Sequence, residues 1–263
     1  MNVLLTNDDG IKSPGIAALI RELACDYQLF VSAPDRQRSA AGASMTIRGD
    51  LYAKPVAFPD YPDVKAYAVS GTPVDCVRLG FGHLFSGIDA VISGINLGPN
   101  CGSDVLYSGT CSAAQEAAIH GYPALALSLD GHHDRPFVHF ETAAKLARRG
   151  LELLRKQQWP VGMYFSINVP DLPFDALKGI RYGHLRKILY ETAYEERRDE
   201  EGKLVYCECG KRIPSKAEEF VFSDEYWLQQ GFATVTALDF DCSVTMDRDM
   251  QKIITKQLKG DIL

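Results

Sequence analysis

The amino-terminal segment spells strand, helix, strand, and that order leaves few folds open. Val3-Leu4-Leu5-Thr6 is a short apolar run that ends in Asn7-Asp8-Asp9-Gly10. Ser13 then reads as an N-cap with Pro14 at the first helical position. Ile16, Leu19, Ile20 and Leu23 follow at i, i+3, i+4, i+7 and make one apolar face. Leu29 to Ala33 is a second compact strand, stopped by Pro34. A strand–helix–strand unit of this spacing joins parallel strands. Their carboxyl ends therefore share an edge, and the loop from Pro34 to Gly42 opens towards Asp8 and Asp9. In open parallel sheets that edge holds the binding crevice.

Two adjacent carboxylates repel each other unless a cation lies between them or one keeps a proton. A divalent cation is the usual answer for an all-oxygen site. A helix-capping Asx turn is the alternative reading of the same residues. Neighbours on a regular strand face opposite ways, so both aspartates reach one ion only where the chain is already turning, and Gly10 permits the turn.

The same alternation continues. Met45 to Ser70 reads as an excursion of short strands interrupted by Pro55, Pro59 and Pro62. Gly71-Thr72-Pro73 opens a second helix with Val74, Val77, Phe81 and Leu84 on its buried face. Ala90 to Ser93 is a buried strand, followed by a glycine-rich loop from Gly94 to Thr110. An alanine-rich helix, Ser112 to His120, comes next; Ala113, Ala114, Ala117 and Ala118 let it approach the sheet closely. Ala124–Leu129 and Tyr164–Asn168 are strands on either side of a long helix, Phe137 to Lys156. Ile180 to Ile213 is rich in charge and tyrosine and reads as a long exposed hairpin too poor in apolar surface for its own core. Such an arm serves subunit contacts or is simply solvated. Asp224–Gln230, Phe232–Leu238 and Asp247–Lys259 complete the chain as helix, strand and helix. This divides it into a core, 1–178 with 216–246, an arm, 179–215, and a tail, 247–263.

Three polar loops thus meet on one sheet edge and bring Asp8 and Asp9, Ser39, and Asn96. All are hard oxygen ligands, a set that suits Mg²⁺ or Mn²⁺ and not zinc. Ser108-Gly109-Thr110 stands just before a helix, where hydroxyls and free N–H groups can cradle a phosphate. Thr72 reads as an ordinary N-cap. His83, His120, His132, His133, His139 and His184 show no metal-ligand spacing and read as surface or capping residues.

Composition removes other classes. A net charge of −6 offers no basic field for a nucleic-acid polymer. No run is long enough for a membrane span or signal peptide, which points to the cytoplasm. Seven cysteines with one close pair, Cys207 and Cys209, read as free thiols.

Read together, Asn7-Asp8-Asp9-Gly10, Ala33-Pro34 to Ser39, Gly71-Thr72-Pro73 with Asp75, Ser93-Gly94-Ile95-Asn96 with Gly98, Asn100, Gly102 and Asp104, and Tyr107-Ser108-Gly109-Thr110 strongly resemble the survival protein SurE family of metal-dependent 5′-nucleotidases. The resemblance implies an α/β, Rossmann-like three-layer core with a mostly parallel sheet. It implies one divalent ion per subunit on Asp8, Asp9, Ser39 and Asn96, with Mg²⁺ or Mn²⁺ expected. It also implies a homodimer or homotetramer built through the hairpin arm and an exchanged carboxyl-terminal segment. The chain has Ala40 and Ala43 where glycine and histidine or asparagine are common in that family, and Cys111-Ser112 where Val-Gly is common.

The expected reaction is hydrolysis of nucleoside 5′-monophosphates, with 3′-monophosphates and short polyphosphate as further substrates. Asp8 and Asp9 are the expected catalytic residues. Ser39, Asn96, Ser108, Gly109 and Thr110 are the expected phosphate contacts. Receiver domains need a phosphate-accepting aspartate where this chain has Ser93-Gly94-Ile95-Asn96. Haloacid-dehalogenase-type phosphatases space their aspartates two apart, which Asp8-Asp9 does not.

Overall fold

A computed structural model describes residues 1–131, 138–214 and 220–259. Its centre is a nine-stranded sheet. In chain order the first strands are β1 (Asn2–Thr6), β2 (Gln28–Pro34), β3 (Ala53–Val56), β4 (Lys65–Val69) and β5 (Ala90–Leu97). They are followed by β6 (Ala124–Asp130), β7 (Tyr164–Pro170), β8 (Ile180–Tyr182) and β13 (Ala233–Leu238). The spatial order is β3-β4-β2-β1-β5-β6-β7-β13-β8. The six strands from β4 to β7 are mutually parallel, while β3 and β13 run antiparallel to their neighbours β4 and β7.

Two helices cover each face. α1 (Pro14–Leu23) and α4 (Phe140–Arg155) pack together on one side, α2 (Pro73–Leu79) and α3 (Gly109–Ile119) on the other. Strand alternation splits the core accordingly: Val3 and Leu5 belong to the α1–α4 layer, and Leu4 between them to the α2–α3 layer. Both layers are made mostly of buried aliphatic side chains, with Phe165 in one and Phe30, Phe85 and Tyr164 in the other, and their removal from water is the main favourable term in folding.

The chain runs from β1 outward to β2 and β4, then returns to place β5 on the other side of β1. The switch point therefore lies between β1 and β5. Asp8 and Asp9 follow one of these strands and Asn96 sits at the end of the other. This is where such sheets open a crevice.

Several boundaries differ from the sequence reading. β5 runs on to Leu97 through a bulge, with Ser93 opposite Ala126 and Asn96 opposite Ser128, so Asn96 is held on a strand and not in a loop. α3 starts at Gly109, a turn before Ser112, because the Ser108 hydroxyl oxygen caps it by accepting the Cys111 N–H at 3.0 Å. Phe81 and Leu84 fall in a π-turn, Gly80–Leu84, and are only half-buried. α4 begins at Phe140; Phe137, His132 and His133 lie outside the described residues.

The arm is built in two tiers. The inner ladder pairs β9 (Leu189–Tyr190) with β12 (Arg212–Ile213), and the outer hairpin pairs β10 (Tyr194–Arg198) with β11 (Leu204–Glu208). Residues 180–182, inside the segment assigned to the arm from sequence, join the sheet as β8 beside β13. The arm's base is stitched to the loop before α3: the Ser103 hydroxyl donates to Ile188 O and its oxygen accepts the Ile188 N–H. Below it Glu225, on α5 (Asp224–Gln229), is ion-paired with Arg186 and Arg212. A last helix, α6 (Arg248–Lys259), ends the described chain. No helix among the described residues is long and apolar enough to cross a membrane.

A candidate metal and phosphate site at the switch point

The turn after β1 is shaped by Asn7. Its amide oxygen accepts the Gly10 N–H at 3.1 Å, and its NH₂ donates to Gly10 O and, at 2.7 Å, to the Ser13 hydroxyl oxygen. The Asx turn and the acid pair, alternatives from sequence, are thus both present: Asn7 makes the turn and frees Asp8 and Asp9 to serve the crevice. Gly10 takes a positive φ of 97° there.

Asp8 is buried against the amino end of α3. The Thr110 hydroxyl donates to Asp8 Oδ1 at 2.6 Å. A methyl group on Gly109 would lie 3.0 Å from Asp8 Cβ and 3.1 Å from Oδ2, so only glycine allows this approach without a shift. The backbone N–H groups of Gly109 and Thr110 also bond to the Asp8 carboxylate. The helix end expected to cradle a phosphate therefore holds Asp8. Ser108 is the helix cap and Thr110 is fully buried, so both hydroxyls act on the protein itself. The physical reason is the one that suggested the cradle: a helix amino terminus attracts the nearest anion, here a side chain of the same chain.

Asp9 is half-buried. Its Oδ2 accepts the Leu97 N–H at 3.0 Å, which ties the acid pair to the end of β5 beside Asn96. The Asn96 NH₂ donates to Gly98 O at 2.8 Å, leaving its amide oxygen without a hydrogen bond among the described residues. Ser39 is exposed in a turn. Its neighbour Arg38 donates its N–H to Asp8 O at 2.7 Å, so the Ser39 turn adjoins the pair, though no hydrogen bond links the Ser39 hydroxyl to either aspartate.

The electrostatics leave a place for a cation. Burial raises the Asp8 carboxyl above its ordinary range in spite of the Thr110 hydrogen bond. Burial, and then the charge of Asp8, push Asp9 up to about 6. Among the described residues neither aspartate has an ion-pair partner. No three histidine, cysteine, aspartate or glutamate side chains converge there or elsewhere among the described residues, so a thiolate- or imidazole-rich centre has no counterpart. Two carboxylates, an amide oxygen and a hydroxyl fit Mg²⁺ or Mn²⁺, and a divalent charge would relieve the repulsion that lifts Asp9.

Asp75 is a residue that sequence reasoning left without a role at the site. It is 3% exposed and belongs to the capping box of α2, accepting the Thr72 N–H at 2.9 Å. It also accepts the N–H and the hydroxyl of Thr46, both at 2.8 Å. The Thr72 hydroxyl adds a bond to Ser44 O. The loop that carries Ser39 is therefore pinned to α2 through one carboxylate. Thr72-x-x-Asp75 signals the cap in sequence, but nothing local signals Thr46. Asp75→Ala is expected to free the loop and speed tryptic cleavage after the exposed Arg48 by roughly ten-fold, the equivalent of one or two lost hydrogen bonds. Cleavage at the wild-type rate would show that the loop is held elsewhere.

Comparison with known proteins agrees with this architecture. The profile described as "Survival protein SurE" matches residues 3–192. A protein of Petrotoga mobilis named 5′-nucleotidase SurE is 42% identical over 240 residues, 90% of this chain and 92% of its own length. One of the same name from Clostridium beijerinckii is 38% identical over 257 residues, 97% of this chain and all of its own length. The crystal structure of the SurE protein from Aquifex aeolicus superposes with a TM-score of 0.76 at 32% identity and covers 98% of both chains.

Proposed function

Since the chain belongs to the survival protein SurE family, we propose that it is a 5′-nucleotidase whose catalysis depends on a divalent cation. The observation that carries the reading is the buried acid pair at the β1–β5 switch point, raised in pKa and without a cationic partner among the described residues. Asp8, Asp9, Asn96 and Ser39 would hold the ion, with Mg²⁺ or Mn²⁺ favoured by the all-oxygen set. When bound, such an ion supplies Lewis-acid stabilisation of phosphoryl charge and acidifies water.

The chain's own residues do the rest. Thr110 and the first N–H groups of α3 fix the Asp8 carboxylate, and Leu97 N–H fixes that of Asp9, so both acids are oriented before substrate arrives. The pair orients the attacking water and takes up its proton. Ser39 and Asn96 stand beside the pair, where the phosphoryl group would lie, while Ser108, Gly109 and Thr110 serve it indirectly by holding Asp8. Monoester hydrolysis is among the slowest uncatalysed reactions, so positioning and charge stabilisation carry most of the acceleration.

The reading extends to 3′-monophosphates and short polyphosphate as lesser substrates. It extends also to a homodimer or homotetramer, supported by exposed Tyr190, Leu204 and Tyr206 on the arm and Met250 and Ile253 in the tail. Seven free cysteines suit a reducing, cytoplasmic setting. The test is a panel of phosphate esters assayed with Mg²⁺, Mn²⁺, Ca²⁺ and Zn²⁺ after treatment with a chelator. Nucleoside 5′-monophosphates are expected to release phosphate only when Mg²⁺ or Mn²⁺ is restored. Undiminished turnover in excess chelator would refute the metal dependence.

A further inference from the structure

Segments that hold the acid pair carry exposed apolar side chains that the hydrolytic chemistry does not use. Leu97 is 39% exposed, Leu106 67% and Tyr107 66%. Their backbones are nevertheless tied to the site. Leu97 donates its N–H to Asp9, and Tyr107 immediately precedes Ser108, the cap of α3. Tyr107 is pinned on both sides: its N–H donates to Asp104 O at 3.0 Å, and its own carbonyl accepts the Gly42 N–H at 3.0 Å. An aromatic ring is thus left in water on a backbone that has no freedom left to lose. Exposed apolar surface on a preorganised frame is what a ligand covers at least entropic cost.

The position narrows the ligand. Tyr107 is two residues from Gly109, which lies against Asp8 Cβ and Oδ2. With about 3.8 Å between successive Cα atoms, the ring is rooted within about 8 Å of the helix start that holds Asp8. A mononucleotide with its phosphate at the acid pair carries its base over that span. Every nucleobase has a π-face, and an aromatic side chain is the usual platform for it. The cavity of about 320 Å³ further along the same edge is lined by Asp130 and Asp171 among others and offers no such ring.

We propose that Tyr107, with its chain neighbour Leu106 beside it, is the platform on which the nucleobase of the substrate stacks. The inference rests on the nucleotidase reading and deepens it. Because stacking tolerates any base, it makes the enzyme weakly selective among bases, with purines ahead of pyrimidines through larger overlap.

The test compares wild type, Tyr107→Ala and Tyr107→Phe at fixed Mn²⁺ on three esters: adenosine 5′-monophosphate, uridine 5′-monophosphate and ribose 5-phosphate, which keeps the phosphate and sugar but lacks the base. Tyr107→Ala is expected to lower kcat/KM for the adenosine ester by about ten-fold or more, mainly through KM. Ribose 5-phosphate should change by less than two-fold, a ratio that a general structural role would not produce, and Tyr107→Phe should restore the adenosine value. Equal losses on all three esters, or an unchanged value for the adenosine ester, overturn the platform. So does a variant whose subunit association changes while its KM for that ester does not. A wild-type protein that releases phosphate from none of the three overturns the nucleotidase reading itself.

Discussion

Asp9→Asn is expected to leave a folded protein that releases phosphate roughly a thousand-fold more slowly or worse, the loss typical of removing one preorganised electrostatic contact in a transition state. Asparagine keeps the shape and can still accept the Leu97 N–H through its amide oxygen, so the tie between the acid pair and β5 survives. What is lost is a charge that a divalent cation requires. Near-normal turnover at saturating Mn²⁺ would sink the assignment of Asp9.

The same substitution has an opposite effect on the metal-free protein. Asp9 is raised from 3.8 to about 6 by burial and by the charge of Asp8. A carboxyl raised in the folded state favours folding when protonated. Its contribution is therefore fully present below about pH 4, the unfolded value, and is lost as pH rises through about 6. In the presence of a chelator, wild type should lose stability over that window, with Asp9 contributing on the order of 2 kcal/mol after solvent screening, read as a lower thermal midpoint. Asp9→Asn should remove Asp9's share of the fall, leaving that of Asp8, and melt higher than wild type at pH 7. Identical melting of the two metal-free proteins at pH 7 would contradict it. A loss of activity combined with a gain in apo-stability is the mark of a site whose charge is stored for a ligand.

Gly15→Ala should do the reverse of what helix propensity suggests. Alanine in place of glycine inside a helix is ordinarily worth about 1 kcal/mol of added stability. Here a methyl on Gly15 would sit 2.1 Å from Ile95 O and 2.8 Å from Ile95 N. Both are backbone atoms of β5 and cannot turn aside, so α1 must lift from the sheet. That loosens Ile16, Leu19 and Ile20, all fully buried. The expected cost is about 3 kcal/mol, at the upper end for overpacking, read as a lower urea midpoint. Activity should fall too, because Ile95 adjoins Asn96. A urea midpoint at or above that of wild type would mean that the helix and strand do not approach so closely.

The first strand–helix–strand unit was legible because its signals are local: the cap at Ser13, Pro14 and the apolar period of α1 are each written within one turn. Parallel-strand logic then placed Asp8, Asp9, Ser39 and Asn96 on one edge, and the switch point between β1 and β5 is where the structure has that edge. The Ser108 cap was visible as a hydroxyl before a helix, but its start was read a turn late because glycine and threonine weigh against helix in a local count. Thr46 on Asp75 and Ile188 on Ser103 were not legible, since each joins segments far apart in sequence.

What the sequence determined by itself is which polar side chains share one side of the sheet, Asp8, Asp9 and Ser39 in turns after parallel strands and Asn96 near the end of another, because strand polarity and residue type are local properties. What only the tertiary structure decided is who holds whom. The amino end of α3 grips Asp8, Leu97 grips Asp9, and Asp75 moors the Ser39 loop, because a hydrogen bond is awarded by distance in space to whichever acceptor the packed core brings nearest.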